Sequence, residues 1–273
     1  MREIWMMANY EWKLIRSKRL LLLFAIFYAV LCIAIAYFGS FYAGYGRIQN
    51  LRTTGISLMN FSLLFLPLMA LLSGVTSFTD QKESWELICT QPITIGELMI
   101  GKFLGQFFGM ILPILAGFVM SAIVIVSSGT FYGWRDYLFL LLLNIVTAAV
   151  FLAISFAVAA LCKRGAKVFG WIFAVWATMV LFYDMLVIGL VILSTGLNQQ
   201  ISLWAALLFN PVDMIRILGV SQMGVYDAVS ATGTLVQETL QTKGPAFLLV
   251  AVFIWFAGCL FAAIQFTRRQ DLV

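Results

Sequence analysis

The chain has no histidine among its 273 residues. That removes the commonest metal ligand, the usual proton shuttle and the usual general base. Charge is scarce too: 11% of residues are charged and 63% are apolar, with a mean hydropathy of +1.00. A soluble domain carries about a quarter charged residues, so a large soluble body is excluded. The four cysteines, Cys32, Cys89, Cys162 and Cys259, are scattered without a CxxC pair, which argues against a disulfide framework. The twelve methionines form no dense ladder and read as flexible apolar filler rather than a soft-metal path. The basic residues are not gathered on one soluble surface, so no nucleic acid is expected as a partner.

What is present is a series of long apolar runs. Six of them, 20–40, 57–78, 103–127, 137–161, 168–194 and 246–266, reach the roughly 20 residues needed to cross a bilayer core. The fold class is therefore all-α: a polytopic membrane protein with six transmembrane helices in a single domain over 1–273. With the N-terminus in the cytoplasm, twelve Lys and Arg fall inside and five (Arg47, Arg52, Arg135, Arg216 and Lys243) fall outside. The positive-inside rule then predicts a multi-pass plasma (inner) membrane protein with both ends cytoplasmic.

Residues 1–19 are predicted to form an amphipathic interfacial helix. Ile4, Trp5, Ala8, Trp12 and Ile15 make its apolar stripe, and Arg2, Asn9, Lys13 and Arg16 lie elsewhere. Tryptophans with bases suit contact with membrane lipid. The basic start resembles a signal peptide, but the run after Arg19 is long enough to span, so it reads as a retained anchor.

The most polar break is 79–102, which holds four of the twelve acidic residues: Asp80, Glu83, Glu86 and Glu97. Asp80, Glu83 and Glu86 recur at i, i+3 and i+6, opposite Trp85, Ile88 and Cys89. That spacing predicts a short cytoplasmic helix ended by Pro92. The following Gly96-Glu97-Leu98-Met99-Ile100-Gly101-Lys102-Phe103 nearly matches a phosphate-binding P-loop. Phe103 stands where the Mg²⁺-binding hydroxyl belongs, and no strand precedes it, so this chain has no nucleotide site of its own. Gly101, Gly105 and Gly109, four apart, permit close helix packing, within the subunit or against a moving neighbour.

Beyond the fifth run, 195–245 is a long external segment. Its apolar part, 201–209, is too short to span and is predicted to be re-entrant or interfacial. Asn210 can cap a helix with Pro211 at its first position. Asp213 and Arg216 are one turn apart and can pair; the same residues are candidates for docking an external partner. Asp184 lies inside the fifth run, where a charge costs about 2.5–3.5 kcal/mol on insertion scales. It reads as a polar staple to a neighbouring helix or a tyrosine, or alternatively as an ion or proton site.

These features together resemble a family. Glu11-Trp12 followed by Arg16-Ser17-Lys18-Arg19, six spans with both ends inside, and an acidic loop ending Thr90-Gln91-Pro92 before Ile95-Gly96-Glu97 and Gly101-Lys102-Phe103-Leu104-Gly105 are similar to type-2 ABC-transporter permeases. The later half, Phe182-Tyr183-Asp184-Met185-Leu186 with Leu208-Phe209-Asn210-Pro211-Val212-Asp213-Met214-Ile215-Arg216, resembles the branch that serves copper maturation of nitrous oxide reductase. The family often carries Gly-Thr where this chain has Glu83-Ser84.

The resemblance implies a homodimer driven by a separate cytoplasmic ABC ATPase that holds ATP and Mg²⁺. It also implies an external β-helical accessory protein and a copper chaperone as partners. Asp80, Glu83, Ser84, Glu86, Pro92 and Glu97 would contact the ATPase, with Glu11, Trp12 and Arg16 of the first helix nearby. No catalytic, cofactor-binding or metal-binding residue is expected in this chain. Without histidine, paired cysteine or a methionine ladder, the pattern favours force transmission over a metal conduit. Two rivals stay open: a type-2 exporter of lipid, peptide or drug, and a secondary carrier using Asp184.

Overall fold

Inside lipid, backbone N–H and C=O groups must be satisfied locally or in a closed barrel. Apolar runs with few charges therefore fold as helices, and among the described residues all regular structure is helical. The computed structural model describes residues 2–17, 19–43, 51–79, 94–128, 132–162, 167–193, 204–223 and 244–270. Helix α1 is Arg2–Ser17, α2 Arg19–Ala43, α3 Leu51–Thr79, α4 Ile95–Ser128 and α5 Trp134–Leu161. Helix α6, Lys167–Trp176, continues through a π-helical segment, Ala177–Phe182, into α7, Tyr183–Leu193. A short helix over 204–209 precedes α8, Pro211–Met223, and α9 is Gly244–Gln270.

Six stretches are long and apolar enough to span a membrane: Leu21–Phe38, Thr54–Phe78, Ile95–Ser127, Trp134–Leu161, Lys167–Leu190 and Gly244–Arg269. The side of the membrane bearing α1 is called the near side below, and the opposite side the far side. Helix α5 is the centre of the bundle. It is 61% buried over its span, against 17% for the fifth and sixth spans, and it packs on α3, α9, α4 and α8. It starts on the far side at Gly133, whose φ of 85° belongs to the left-handed region that glycine enters freely.

The structure extends the third long helix toward the N-terminus. The sequence places it at 103, with Gly96–Lys102 in a water-exposed loop, but α4 is helical from Ile95. The near-P-loop residues are thus helix. At 34 residues, α4 is about 51 Å long at 1.5 Å per residue, well beyond the ~30 Å hydrocarbon core. Thr94 caps it: Glu97 N–H donates to Thr94 Oγ1 at 3.3 Å, and Thr94 N–H donates back to Glu97 Oε2 at 3.1 Å. This reciprocal capping box fixes where the helix begins.

The structure shows what α1 packs against. Its buried face is Met7, Ala8, Glu11 and Ile15, while Trp5 is 66% exposed. The helix runs along the first turns of α4. A Cβ added to Gly101 would meet Met7 Cβ at 2.7 Å, one on Gly105 Glu11 Cβ at 2.5 Å, and one on Gly109 Ile15 Cγ2 at 2.6 Å. Four residues up α4 match four along α1, twice over, as two nearly parallel helices require. The glycine stripe is therefore the seat of α1.

Candidate functional site

Two polar clusters stand out in this apolar bundle, one at each end. The near-side cluster joins α1, α3 and α4. Glu11 Oε1 lies 3.1 Å from Lys102 Nζ, and both side chains are fully buried. Lys102 also donates to the Ser77 carbonyl at 3.2 Å and stands 5.9 Å over the Phe78 ring. Gln106 Nε2 donates to Glu11 Oε2 at 3.3 Å, and Ser77 Oγ donates to Glu11 Oε1 at 3.4 Å. Ser73 Oγ closes the chain by donating to Gln106 Oε1 at 2.7 Å.

Taking two charges out of water costs several kcal/mol per ion unless pairing and further hydrogen bonds offset it. Here both oxygens of Glu11 and the ammonium of Lys102 each have additional partners. A pair built this way holds α1 in one register on α4. In sequence, the acidic segment 80–93 lies between Thr79, the last residue of α3, and the Thr94 cap of α4, which begins at Ile95.

The far-side cluster joins α7, the 204–209 helix and α8. Arg216 Nη1 bonds Asp184 at 3.3 and 3.1 Å and Asp213 Oδ1 at 3.1 Å. Asn210 caps α8, its Oδ1 accepting from Val212 N–H at 3.0 Å. Its Nδ2 donates to Asp213 Oδ2 at 3.0 Å and to the Met179 carbonyl at 2.9 Å. That carbonyl belongs to the π-helical segment, where the wider turn displaces the usual i→i+4 partners. Tyr183 Oη donates to the Ala206 carbonyl at 2.5 Å. Trp255 of α9 reaches the Leu208 carbonyl at 2.9 Å through Nε1. The 204–223 segment is therefore tied to the fifth span at three points and to the sixth at one.

Electrostatically the far cluster is two carboxylates around one guanidinium. Burial raises the Asp213 carboxyl to about 6; Arg216 opposes this, and the Asp184 charge adds to it. Asp184 is half exposed and Arg216 less so, at 51% and 29% of their side chains. Among the described residues, no three His, Cys, Asp or Glu side chains are grouped to hold a metal ion.

Several residues singled out from the sequence fall outside the described residues: Asp80, Glu83, Ser84, Glu86 and Pro92. Glu97 is described, and it closes the α4 cap. Trp12 lines a surface groove beside α4. Arg16 is placed on α1 by its backbone. Asp184, Asn210, Asp213 and Arg216 come together in one cluster, and Pro211 is the first residue of α8. The sequence reading had paired Asp213 with Arg216 but left Asp184 without a named cation. It missed the Glu11–Lys102 pair entirely. The signal was there: a glutamate at i+4 from Met7 and i−4 from Ile15, on the face that carries the apolar stripe.

Residues 5–272 match the family model of the ABC-2 family transporter proteins. Two relatives cover nearly the full length. The probable ABC transporter permease protein NosY of Pseudomonas aeruginosa is 27% identical over 285 residues, spanning 98% of this chain and 99% of the relative. The protein of the same name from Stutzerimonas stutzeri is 27% identical over 277 residues, spanning 99% of each. With six spans, an all-helical body and a match over almost its entire length, the chain belongs to the ABC-2 family and is a multi-pass membrane permease subunit of an ABC transporter.

Proposed function

We propose that this permease serves copper-site maturation of nitrous oxide reductase. It would work as a homodimer that passes the motion of a separate ATPase to the far side of the membrane. The likeness over nearly full length to two proteins named NosY carries this reading. Both chain ends would be cytoplasmic, and ATP and Mg²⁺ would be held by the partner ATPase, this chain being non-catalytic.

In this account, ATP-driven closure of the ATPase pushes the 80–93 segment and α1. The buried Glu11–Lys102 pair makes α1 and α4 move as one body, because separating them would strand a charge in an apolar interior. Helix α4 and the central α5 pass the displacement to the fifth span. The Asp184–Arg216–Asp213 cluster and the Asn210–Met179 bond then carry it into 204–223. An external β-helical accessory protein, a copper chaperone and the apo-reductase would be served there, at Asn210, Pro211, Asp213 and Arg216. Copper in this scheme is cargo delivered outside the chain.

The test is deletion of this chain in its own host, followed by purification of nitrous oxide reductase and measurement of its copper content. The reading predicts reductase protein that lacks its normal copper, restored by supplying the intact chain. Full copper in the deletion strain would end the maturation role and leave a permease of another cargo.

A further inference from the structure

The fifth span is one helix in two halves. Its near half, α6, is fixed to the bundle: Val168 and Ile172 are buried, and Trp176 Nε1 donates to the Leu64 carbonyl of α3 at 3.0 Å. Its far half, α7, is held differently. Met185, Leu186, Ile188 and Ile192 are all exposed, and among the described residues no other helix packs extensively on it. What holds α7 is a pair of polar ties beside the joint, from Tyr183 Oη to the Ala206 carbonyl and from Arg216 Nη1 to Asp184 Oδ2 at 3.1 Å.

The joint is the six-residue π-helical segment Ala177–Phe182. Its flanking residues keep right-handed helical dihedrals, φ −60° and ψ −52° at Trp176 and φ −65° and ψ −43° at Tyr183. The helix therefore changes register here without breaking. An i→i+5 turn closes with one residue more than an i→i+4 turn, and one residue of helix is about 100° of rotation and 1.5 Å of rise. The surplus sets which way α7 faces, and with it the direction of Asp184. Inside an apolar span, a carbonyl displaced from its in-helix donor needs another. Asn210 supplies one: it is 1% exposed, and its Nδ2 donates to the Met179 carbonyl at 2.9 Å.

We infer that Ala177–Phe182 is a register switch and that the Asn210 amide sets it. With Asn210 on the Met179 carbonyl, the segment is π-helical and Asp184 faces Arg216. When the 204–209 helix draws Asn210 away, closing the segment to α-helix restores a donor to that carbonyl. The surplus residue then passes into α7, which turns by about 100° and carries Asp184 off Arg216. Because α7 has little packing to lose, the polar ties decide between the two states. Displacement of 204–223 and rotation of the far half of the fifth span are thus one event. The inference rests on the geometry of the fifth span and holds for a permease of any cargo.

The test uses the full chain made cysteine-free, with spin labels at Ile188→Cys on α7 and Val250→Cys on α9, both exposed positions. Helix α9 is anchored on α5 and serves as the fixed reference. Labelled chain is diluted with unlabelled chain, so that distances within one copy are read. Asn210→Ser keeps a cap for α8 but lacks the amide that reaches Met179. The inference predicts a second distance population in Asn210→Ser, displaced by up to about 8 Å, the chord of 100° on a cylinder of roughly 5–6 Å radius. Deleting Thr178 removes the surplus residue and leaves α7 facing as in the parent, so that variant keeps the parent distance. Asn210→Ser in the Thr178-deleted chain keeps it too. An unchanged distance in Asn210→Ser overturns the inference. So does a displaced population that persists without Thr178, which would be loosening of 204–223 alone. Loss of folded protein on deleting Thr178 also overturns it, because a surplus residue is dispensable.

Discussion

Glu11 on the first helix and Lys102 on the third span meet at 3.1 Å with no side-chain exposure on either. A buried pair is costly to break from one side, because the remaining charge has nowhere to go. Glu11→Gln or Lys102→Met alone should lower stability by about 3–5 kcal/mol. Glu11→Leu with Lys102→Met, which removes both charges, should recover most of it. Thermal unfolding of the detergent-solubilised protein, run as a double-mutant cycle, checks this. Additive losses would mean the two residues do not act as a pair.

The glycine stripe makes a separate prediction. A side chain at Gly105 would place its Cβ 2.5 Å from Glu11 Cβ and 2.7 Å from the Ala8 carbonyl. Gly105→Leu should cost at least the ~1–3 kcal/mol of overpacking and free α1, seen as faster hydrogen exchange over 2–17. Gly170 has no atom within 4 Å of the added Cβ, so Gly170→Ala should be neutral or gain up to about 1 kcal/mol of helix propensity. Similar losses at both positions would contradict the packing given for α1.

At the far side, Asn210 does three jobs: it caps α8, holds Asp213 and satisfies the Met179 carbonyl. Asn210→Ala should cost about 1–2 kcal/mol from the cap and the lost hydrogen bonds. It should also loosen 204–223, seen as local hydrogen exchange or protease cleavage there. Asp184→Asn should cost less, because Arg216 keeps its bond to Asp213 Oδ1 at 3.1 Å.

The pH response has a definite sign. Asp213 has its carboxyl raised to about 6, mainly by burial, above the unfolded value near 3.9. The folded protein therefore holds this proton where the unfolded chain has lost it. The stability from the neutral form is present below the unfolded value and is lost as pH rises through about 6. Asp213→Asn cannot titrate. Measured against the parent, its stability should fall as pH goes from 7.5 to 5. The groups facing Asp213 are Arg216, Asp184, Asn210 and Tyr183, so Asp184→Asn is run alongside to separate the influence of the neighbouring carboxylate. A pH-independent difference would contradict the burial of Asp213.

Local signals in the sequence were sufficient for the spans, the Asn210 cap and the Asp213–Arg216 pair, since each depends on residues within a few positions. The decisive contacts are not local. Gln106 and Glu11 are 95 positions apart, and Arg216 and Asp184 are 32 apart; no spacing rule links them. Charge also hides where the third long helix begins. Glu97 and Lys102 look like loop residues, yet one is used in the Thr94 cap and the other is neutralised by Glu11, so helix extends through both. The π-helical segment Ala177–Phe182 is as apolar as its neighbours and leaves no mark in hydropathy. Its counterpart is the Asn210 amide that takes the Met179 carbonyl.

The central claim is that motion of an ATPase on the near side reaches 204–223. The direct measurement places a spin label at Gln222, which is exposed at the end of α8, in a chain whose four native cysteines are replaced by alanine or serine. The labelled permease is reconstituted with its ATPase partner, and distances between the labels of the two copies are read with and without ATP. The account predicts a shifted distance distribution on adding ATP, and loss of that shift in Glu11→Gln. An unchanged distribution in the assembled, ATP-hydrolysing complex would contradict it.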